Sequence, residues 1–245
     1  MTSRAWRWAA LSVALVTPAR AARAVDAFEI QVYDGTADAP GQAGLEAHLN
    51  YIASGLATAT PPELPPHHQA HFTLEPSYGV LPIWEVGGYF MTALRGDGTF
   101  DVVGGKLRSK LVTRPGWSAH ARLGLNVELS WVRAEYEADH WGAELRPIAA
   151  FDAKYLLAAV NPIVGLSLRD GAASFEPAAM AVVPIRSVAS FGLEYYGDLT
   201  ARQQYLYQVA NLIAFRSFEL NAGVGEGLTA ASNAVVVKVI VGHAF

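Results

Sequence analysis

The last thirteen residues, Asn233 to Phe245, alternate between the two faces of an extended strand. One face carries valines from Val235 to Val241 and then two aromatic rings, while the other face carries Lys238 near its centre. A strand that closes a barrel in a bilayer needs one apolar face toward lipid and can direct a charge toward the lumen. This pattern therefore predicts a strand that crosses a membrane.

The same stretch resembles the closing strand of outer-membrane barrels, which combines a polar residue, alternating apolar positions and a terminal aromatic. Lys238 and Phe245 match this signature, whereas Ile240 stands where glycine is usual and His243 where an aromatic or apolar residue is usual. The resemblance implies that the barrel assembly machinery binds Phe245 as its signal. The other predicted partners are the lipids of the outer membrane.

Residues 1–24 have the order of a secretory signal peptide. Arg4 and Arg7 supply positive charge, a short apolar run follows, and small-residue cleavage sites end at Ala21 and Ala24. The apolar run is well below the roughly 20 residues that span a bilayer as a helix. We place cleavage after Ala24, with Ala21 as the alternative, and residues 25–245 form the mature barrel.

Charge and composition exclude several classes of protein. Cleavage after Ala24 removes four of the 18 Lys and Arg residues and none of the 22 Asp and Glu, which leaves 14 against 22 and a net charge of −8. This argues against nucleic acid as a partner. The chain is 52% hydrophobic, yet its mature part has no uncharged apolar run of 18 residues. A β-barrel explains both facts, because its apolar residues occupy every second position of many short strands.

Alternation recurs along the mature chain and predicts an all-β fold, a transmembrane antiparallel barrel of about twelve strands with periplasmic termini. The predicted strands are 43–54, 69–79, 83–95, 99–112, 116–131, 141–151, 153–168, 174–183, 187–197, 204–213, 216–226 and 233–245. Phe28 to Tyr33 also alternates, and we interpret it as a periplasmic lead-in rather than an extra strand. Connections on the periplasmic side are short, and the longest outer loop, 55–68, is rich in proline. We expect that loop to be weakly ordered or to fold over the mouth.

Polar faces of these strands must point inward, because a charge that faces lipid at the midplane costs about 2–4 kcal/mol. The predicted lumen-lining residues carry both signs in similar number: Glu75, Glu85, Lys106, Arg108, Lys110, Arg122, Glu128, Glu144, Arg146, Glu176, Glu194 and Lys238. Such a lumen is either salt-bridged and rigid or a charge-screened passage for polar solutes. Four of the strands also place a polar residue before a proline, at Glu75, Arg146, Asn161 and Glu176. We expect local breaks or bends of the wall there.

Several segments resemble the transporter-like outer-membrane barrels of Gram-negative bacteria that are labelled for the meta-pathway of phenol degradation. They include HFTLEPSYGV (71–80), AELRPIAAF (143–151), AVNPIVGLSL (159–168), FEPAAMAV (175–182), FGLEYYGDL (191–199) and GVGEGLTAASNAVVVKVIVGHAF (223–245). The resemblance implies a 12-stranded barrel with uptake of small organic, including aromatic, molecules. It implies no site residues.

The sequence favours a channel for passive passage of small organic solutes. The alternatives are a structural or interaction barrel with a plugged lumen and an outer-membrane lipid-modifying enzyme. No aligned nucleophile and base support an enzyme, although His140 and Asp139 lie near a strand end. His67, His68 and His71 are spaced so that they could bind a metal, but solvated histidines are common on such loops. We therefore predict no catalytic activity, no metal and no cofactor.

Overall fold

The computed structural model describes residues 25–186, 188–214 and 218–245. The predicted signal peptide lies outside these described residues. Among them, the chain forms no helix that is long and apolar enough to cross a membrane.

Twelve antiparallel strands form a closed barrel in which each strand pairs with its neighbours in the chain and β1 pairs with β12. The strands are β1 Ala43–Ser54, β2 Ala70–Leu81, β3 Trp84–Leu94, β4 Phe100–Val112, β5 Ala121–Val132, β6 Trp141–Ala153, β7 Leu156–Ser167, β8 Ala173–Arg186, β9 Ala189–Asp198, β10 Gln203–Ala214, β11 Phe218–Gly227 and β12 Val235–Ala244. The predicted strand number and order are confirmed. Closure leaves no strand edge unpaired, as a bilayer requires.

The alternation of the sequence becomes an inner and an outer face. On β4, Leu107 is 70% exposed on the outside while its neighbour Lys106 is 7% exposed inside. On β5, Leu129 is 43% exposed and Glu128 is 2% exposed. The outer face is thus a band of Leu, Val, Phe and Ala, as expected for contact with lipid chains.

The two ends of the barrel differ in their connections. We call the end where β1 begins and β12 ends the lower rim, and the opposite end the upper rim. Upper loops are longer on average, and the longest joins β1 to β2. One lower turn is longer than predicted, because β5 begins at Ala121 instead of residue 116. Trp117 therefore lies in a turn whose backbone bonds to Arg114, and the prediction that it belongs to the strand is wrong.

Three of the four Xaa-Pro sites lie at two interruptions in strand pairing. The β6–β7 ladder runs to Leu145–Val164 and resumes at Ala149–Val160, so Pro147 of β6 and Pro162 of β7 lie opposite each other in one gap of this ladder. The β2–β3 ladder likewise skips Pro76. The register is unchanged on both sides of each gap. Proline therefore opens the ladder locally without a bulge there, because it has no N–H to donate.

The C-terminal aromatic residue lies on the lower rim. The Phe245 amide donates to the Ala43 carbonyl at 2.8 Å, and the ring of His243 lies 4.5 Å from the Phe245 ring. Phe245 is 72% exposed. It is therefore accessible to the partner that the sequence predicts for it.

Deletion of Phe245 is expected to lower the amount of barrel in the outer-membrane fraction sharply while secretion into the periplasm continues. Phe218→Ala is the matched control, because it removes a ring that stacks on His243 but leaves the terminus intact. Quantitative immunoblots of membrane and periplasmic fractions measure the effect. Equal amounts of barrel for the deletion and the parent chain would show that Phe245 is not the assembly signal.

Candidate functional site in the barrel lumen

The lumen is occupied by the chain itself. Residues 25–38, which we call the lumen segment, run from the upper rim to the lower rim before β1 begins. At the upper end the Val25 amide bonds to Gln203 at 3.3 Å, and at the lower end Asp38 accepts a bond of 2.6 Å from Ser77. The prediction that Phe28 to Tyr33 is a periplasmic lead-in is therefore wrong.

The lumen segment is extended, and its alternation matches two halves of the lumen. Ile30 and Val32 are buried in an apolar cluster formed mainly by β6 to β10. Glu29 and Tyr33 contact the charged half of the wall instead. The segment therefore alternates apolar and polar residues, as a wall strand does, because it lies between an apolar surface and a charged surface.

The backbone of the segment is held by inward polar side chains. Asn161, which is fully buried, accepts a hydrogen bond from the Tyr33 amide at 2.7 Å and donates to the Tyr33 carbonyl at 3.0 Å. Asn50 donates to the carbonyl of Ala27 at 2.9 Å, and Lys238 to that of Ile30 at 2.9 Å. These bonds replace the ladder that a wall strand would have.

Charged side chains of the segment pair with the wall. Lys106 Nζ lies 3.2 Å from Glu29 Oε2, and Arg146 Nη1 lies 2.9 Å from Glu29 Oε1. Asp26 also pairs with Lys106, and Asp34 pairs with Arg122 at 2.9 Å near the lower rim. The acids of the segment thus balance cations of the wall.

The predicted cations of β4 form ion pairs with neighbouring strands. Lys106 lies 3.0 Å from Glu128, and Arg108 lies 2.6 Å from both Glu75 and Glu85. Lys110 lies 3.0 Å from Glu85. Every one of these carboxylates is at most 2% exposed, so the pairs satisfy charges that would otherwise be costly to bury.

The remaining predicted lumen residues lie at different depths. Arg146 lies 2.7 Å from Glu144, and the fully buried Lys238 pairs with Glu194. Glu176 accepts a hydrogen bond from Ser174. Arg122 lies close to the lower rim and pairs there with Asp152 at 2.8 Å as well as with the lumen segment.

Two cavities remain above and below the middle of the lumen segment. The lower cavity, of about 580 Å³, is lined by charged residues such as Lys110 and Glu219 and by apolar ones such as Met180 and Ile240. The upper cavity, of about 500 Å³, is lined by Phe28 and by the outer loops. The lumen segment and the ion pairs in contact with it separate the two cavities.

The upper loops fold over the mouth, which is one of the two outcomes expected for the proline-rich loop. The Leu64 amide donates to the Glu135 carbonyl at 2.8 Å, and the Ala138 amide donates to Glu63 at 3.1 Å.

Tyr136, in the loop between β5 and β6, is also held at the mouth. Burial and a hydrogen bond to Asp101 raise the pKa of Tyr136 to about 12. Its hydroxyl therefore stays protonated and donates to that carboxylate at 2.6 Å.

The histidines do not gather as a metal site. The rings of His67 and His68 lie 3.8 Å apart, but His71 is buried against Gln69 and Phe28. A different group, Glu46, His48 and Glu75, has ligand atoms within 4.8 Å of one another. Arg108 and Gln31 already bond to its two carboxylates, at 2.6 and 3.0 Å, so the arrangement is explained as an ion-pair network.

No protein-family model and no curated protein sequence matches the chain. Among solved structures it is similar to the COG4313 outer membrane channel from Pseudomonas putida F1, with a TM-score of 0.63, 13% identity and coverage of 89% of this chain and 100% of that one. It is also similar to the KdgM porin in complex with disordered oligogalacturonate, with a TM-score of 0.55, 9% identity and coverage of 82% and 99%. These likenesses show the fold of outer-membrane barrels and support the predicted outer-membrane localisation. The label for phenol degradation stays a prediction.

Proposed function

We propose that the chain is an outer-membrane channel for passive passage of small organic solutes, and that the lumen segment closes it in the conformation described here. The observation that carries this proposal is how the segment is held. Side chains and salt bridges fix it, and it pairs in no strand ladder, so it can leave without opening the wall. The two barrels of similar fold are a channel and a porin.

The alternative is a structural barrel with a permanently filled lumen. It is favoured by the burial of the segment, since five of its residues between Phe28 and Tyr33 are at most 8% exposed. The prediction that the chain is not an enzyme remains a prediction, and we propose no catalytic role for any lumen residue. Conduction distinguishes the channel from the filled barrel.

Purified protein in planar bilayers is expected to open intermittently to small pores of weak ion selectivity, and in liposomes to admit small aromatic or monocarboxylate solutes faster than empty liposomes do. Replacing Lys106, Arg108 and Lys110 by Gln removes the β4 Lys and Arg partners of Glu75, Glu85 and Glu128. The reversal potential in a salt gradient should then shift toward cation selectivity.

Lys110→Gln alone is the milder variant, because Lys110 borders the lower cavity and its side chain is 12% exposed. Its shift should have the same sign and be smaller. If none of these proteins shows conductance or solute flux, the structural barrel is favoured.

A further inference from the structure

We propose that Lys106 and Arg146 form a binding site for the carboxylate of a solute, and that Glu29 is an internal occupant of this site. This inference rests on the proposed function as a channel. It assigns the solutes to the class of organic carboxylates.

The geometry of Glu29 is that of a bound carboxylate. Its two oxygens are divided between two cations, with Oε2 at 3.2 Å from Lys106 and Oε1 at 2.9 Å from Arg146. The side chain is fully buried. Charge-assisted bonds to separate oxygens of a planar carboxylate are stronger and more selective than contacts with a neutral group.

Both cations belong to the wall, and Glu29 does not. Lys106 lies near the middle of β4, and Arg146 near the middle of β6. Each also pairs with a wall carboxylate, Glu128 at 3.0 Å and Glu144 at 2.7 Å. When the lumen segment leaves, both cations stay compensated, and the donors that Glu29 had used become free to bind an anion.

Release of the lumen segment also makes the net charge around the site less negative, which favours binding of an anion. With the segment in place, the two cations face four carboxylates, because Asp26 and Glu29 add to Glu128 and Glu144. Without the segment, two cations face two carboxylates. A monocarboxylate solute therefore meets a neutral site with free donors, halfway along the lumen between the upper and lower cavities.

A solute that binds only when the segment has left must shift the equilibrium toward release, by a factor of one plus the ratio of its concentration to its Kd. The chain has no cysteine, so Val32→Cys gives a single reporter in the apolar cluster of the lumen. Its modification by a water-soluble maleimide measures how often the segment is released. This readout does not depend on conduction.

We expect propionate at ten times its Kd to speed labelling of the Val32→Cys protein about tenfold, relative to sodium chloride of equal ionic strength. Inorganic phosphate is the second probe and should act weakly, because the site divides one planar carboxylate between two donors. Arg146→Gln should abolish the effect of propionate. Glu29→Ala should also abolish or reverse it, because propionate then fits beside the seated segment.

Two control variants loosen the lumen without touching the site. Asp34→Asn removes a carboxylate of the segment at the lower rim, and Lys110→Gln removes a lumen cation that bonds to Glu85. Both should keep the response to propionate. Absence of any response in the parent and in both controls, or an equal response in Arg146→Gln and Glu29→Ala, overturns the site. If labelling responds as expected but no variant conducts, the site stands and the channel fails.

Discussion

Removal of residues 27–36 is expected to convert a mostly closed barrel into one that conducts continuously. The lumen segment separates the upper from the lower cavity, and these residues include its buried side chains from Phe28 to Tyr33. Their loss joins the two cavities. The open fraction in planar bilayers should rise by a factor of about 10² or more, since losing even one partner of a buried ion pair costs about 3–5 kcal/mol and each 1.4 kcal/mol is about tenfold.

The wall should survive this deletion. The twelve-strand ladder closes through β1 and β12 without the segment, and the cations that it contacts keep partners on the wall. Replacement of residues 27–36 by a Gly/Ser linker of equal length should open the pore as well, because a flexible chain supplies none of the contacts. Heat-modifiable mobility on gels verifies that each variant is a folded barrel.

A deletion of ten residues from the proline-rich upper loop, 56–65, is the matched control. That loop borders the upper cavity but not the middle of the lumen, so its loss should change the open fraction little. If the variant without residues 27–36 conducts no more than the parent chain, wall side chains alone close the lumen. The structural reading of the barrel would then be preferred.

The sequence predicts the wall well because lipid imposes a strict rule on it. A residue such as Leu107 must be apolar if it faces lipid, and its neighbour Lys106 must then face inward. The positions of the strand ends are less strictly determined by this rule. Trp117 continues the alternation of β5 in the sequence, yet the strand begins at Ala121, because its pairing with β6 ends at Ala121–Phe151 and its pairing with β4 has already ended at Val112–Gly124.

The lumen segment could not be located from the sequence by the same rule. Period two shows that Phe28 to Tyr33 is extended with two unlike sides, but it does not show what those sides contact. A wall strand, a periplasmic lead-in and a segment between two halves of a lumen all satisfy it. The charge of Glu29 could have indicated a place in the lumen, since the predicted lumen contains cations that need carboxylates as partners.

The inward residues before proline are explained only by the structure. Asn161 is polar within an apolar strand, and the sequence predicts for it a local break of the ladder. The structure adds that its amide holds the backbone of Tyr33. Arg146, on the facing strand of the same break, holds Glu29. Asn161 and Arg146 therefore both supply direct contacts to the lumen segment, which no pattern within a single strand can indicate.

Lys238→Met is expected to destabilise the barrel strongly. Lys238 is fully buried, and its ammonium group donates to Glu194, to the Ile30 carbonyl at 2.9 Å and to the Tyr196 hydroxyl at 3.2 Å. Methionine fills similar volume but leaves Glu194 as a buried charge without its cation. Breaking a buried pair in this way costs about 3–5 kcal/mol.

The free energy of unfolding in urea, followed by tryptophan fluorescence in lipid vesicles, measures this cost. Lys154→Met is the matched control, because Lys154 lies in an exposed lower turn and its ammonium group lies 4.7 Å from the ring of Tyr155 in a cation–π interaction, so its loss should cost about 1 kcal/mol or less. Lys238→Met combined with Glu194→Gln should recover much of the loss, since the uncompensated charge is then gone. If Lys238→Met costs no more than Lys154→Met, the buried pair does not stabilise the barrel. Lys238 also donates to the Ile30 carbonyl of the lumen segment. The double variant should therefore conduct more in bilayers than the parent, even where its free energy of unfolding returns to the parent value. This result separates the role of the lysine in the wall from its role in closing the lumen.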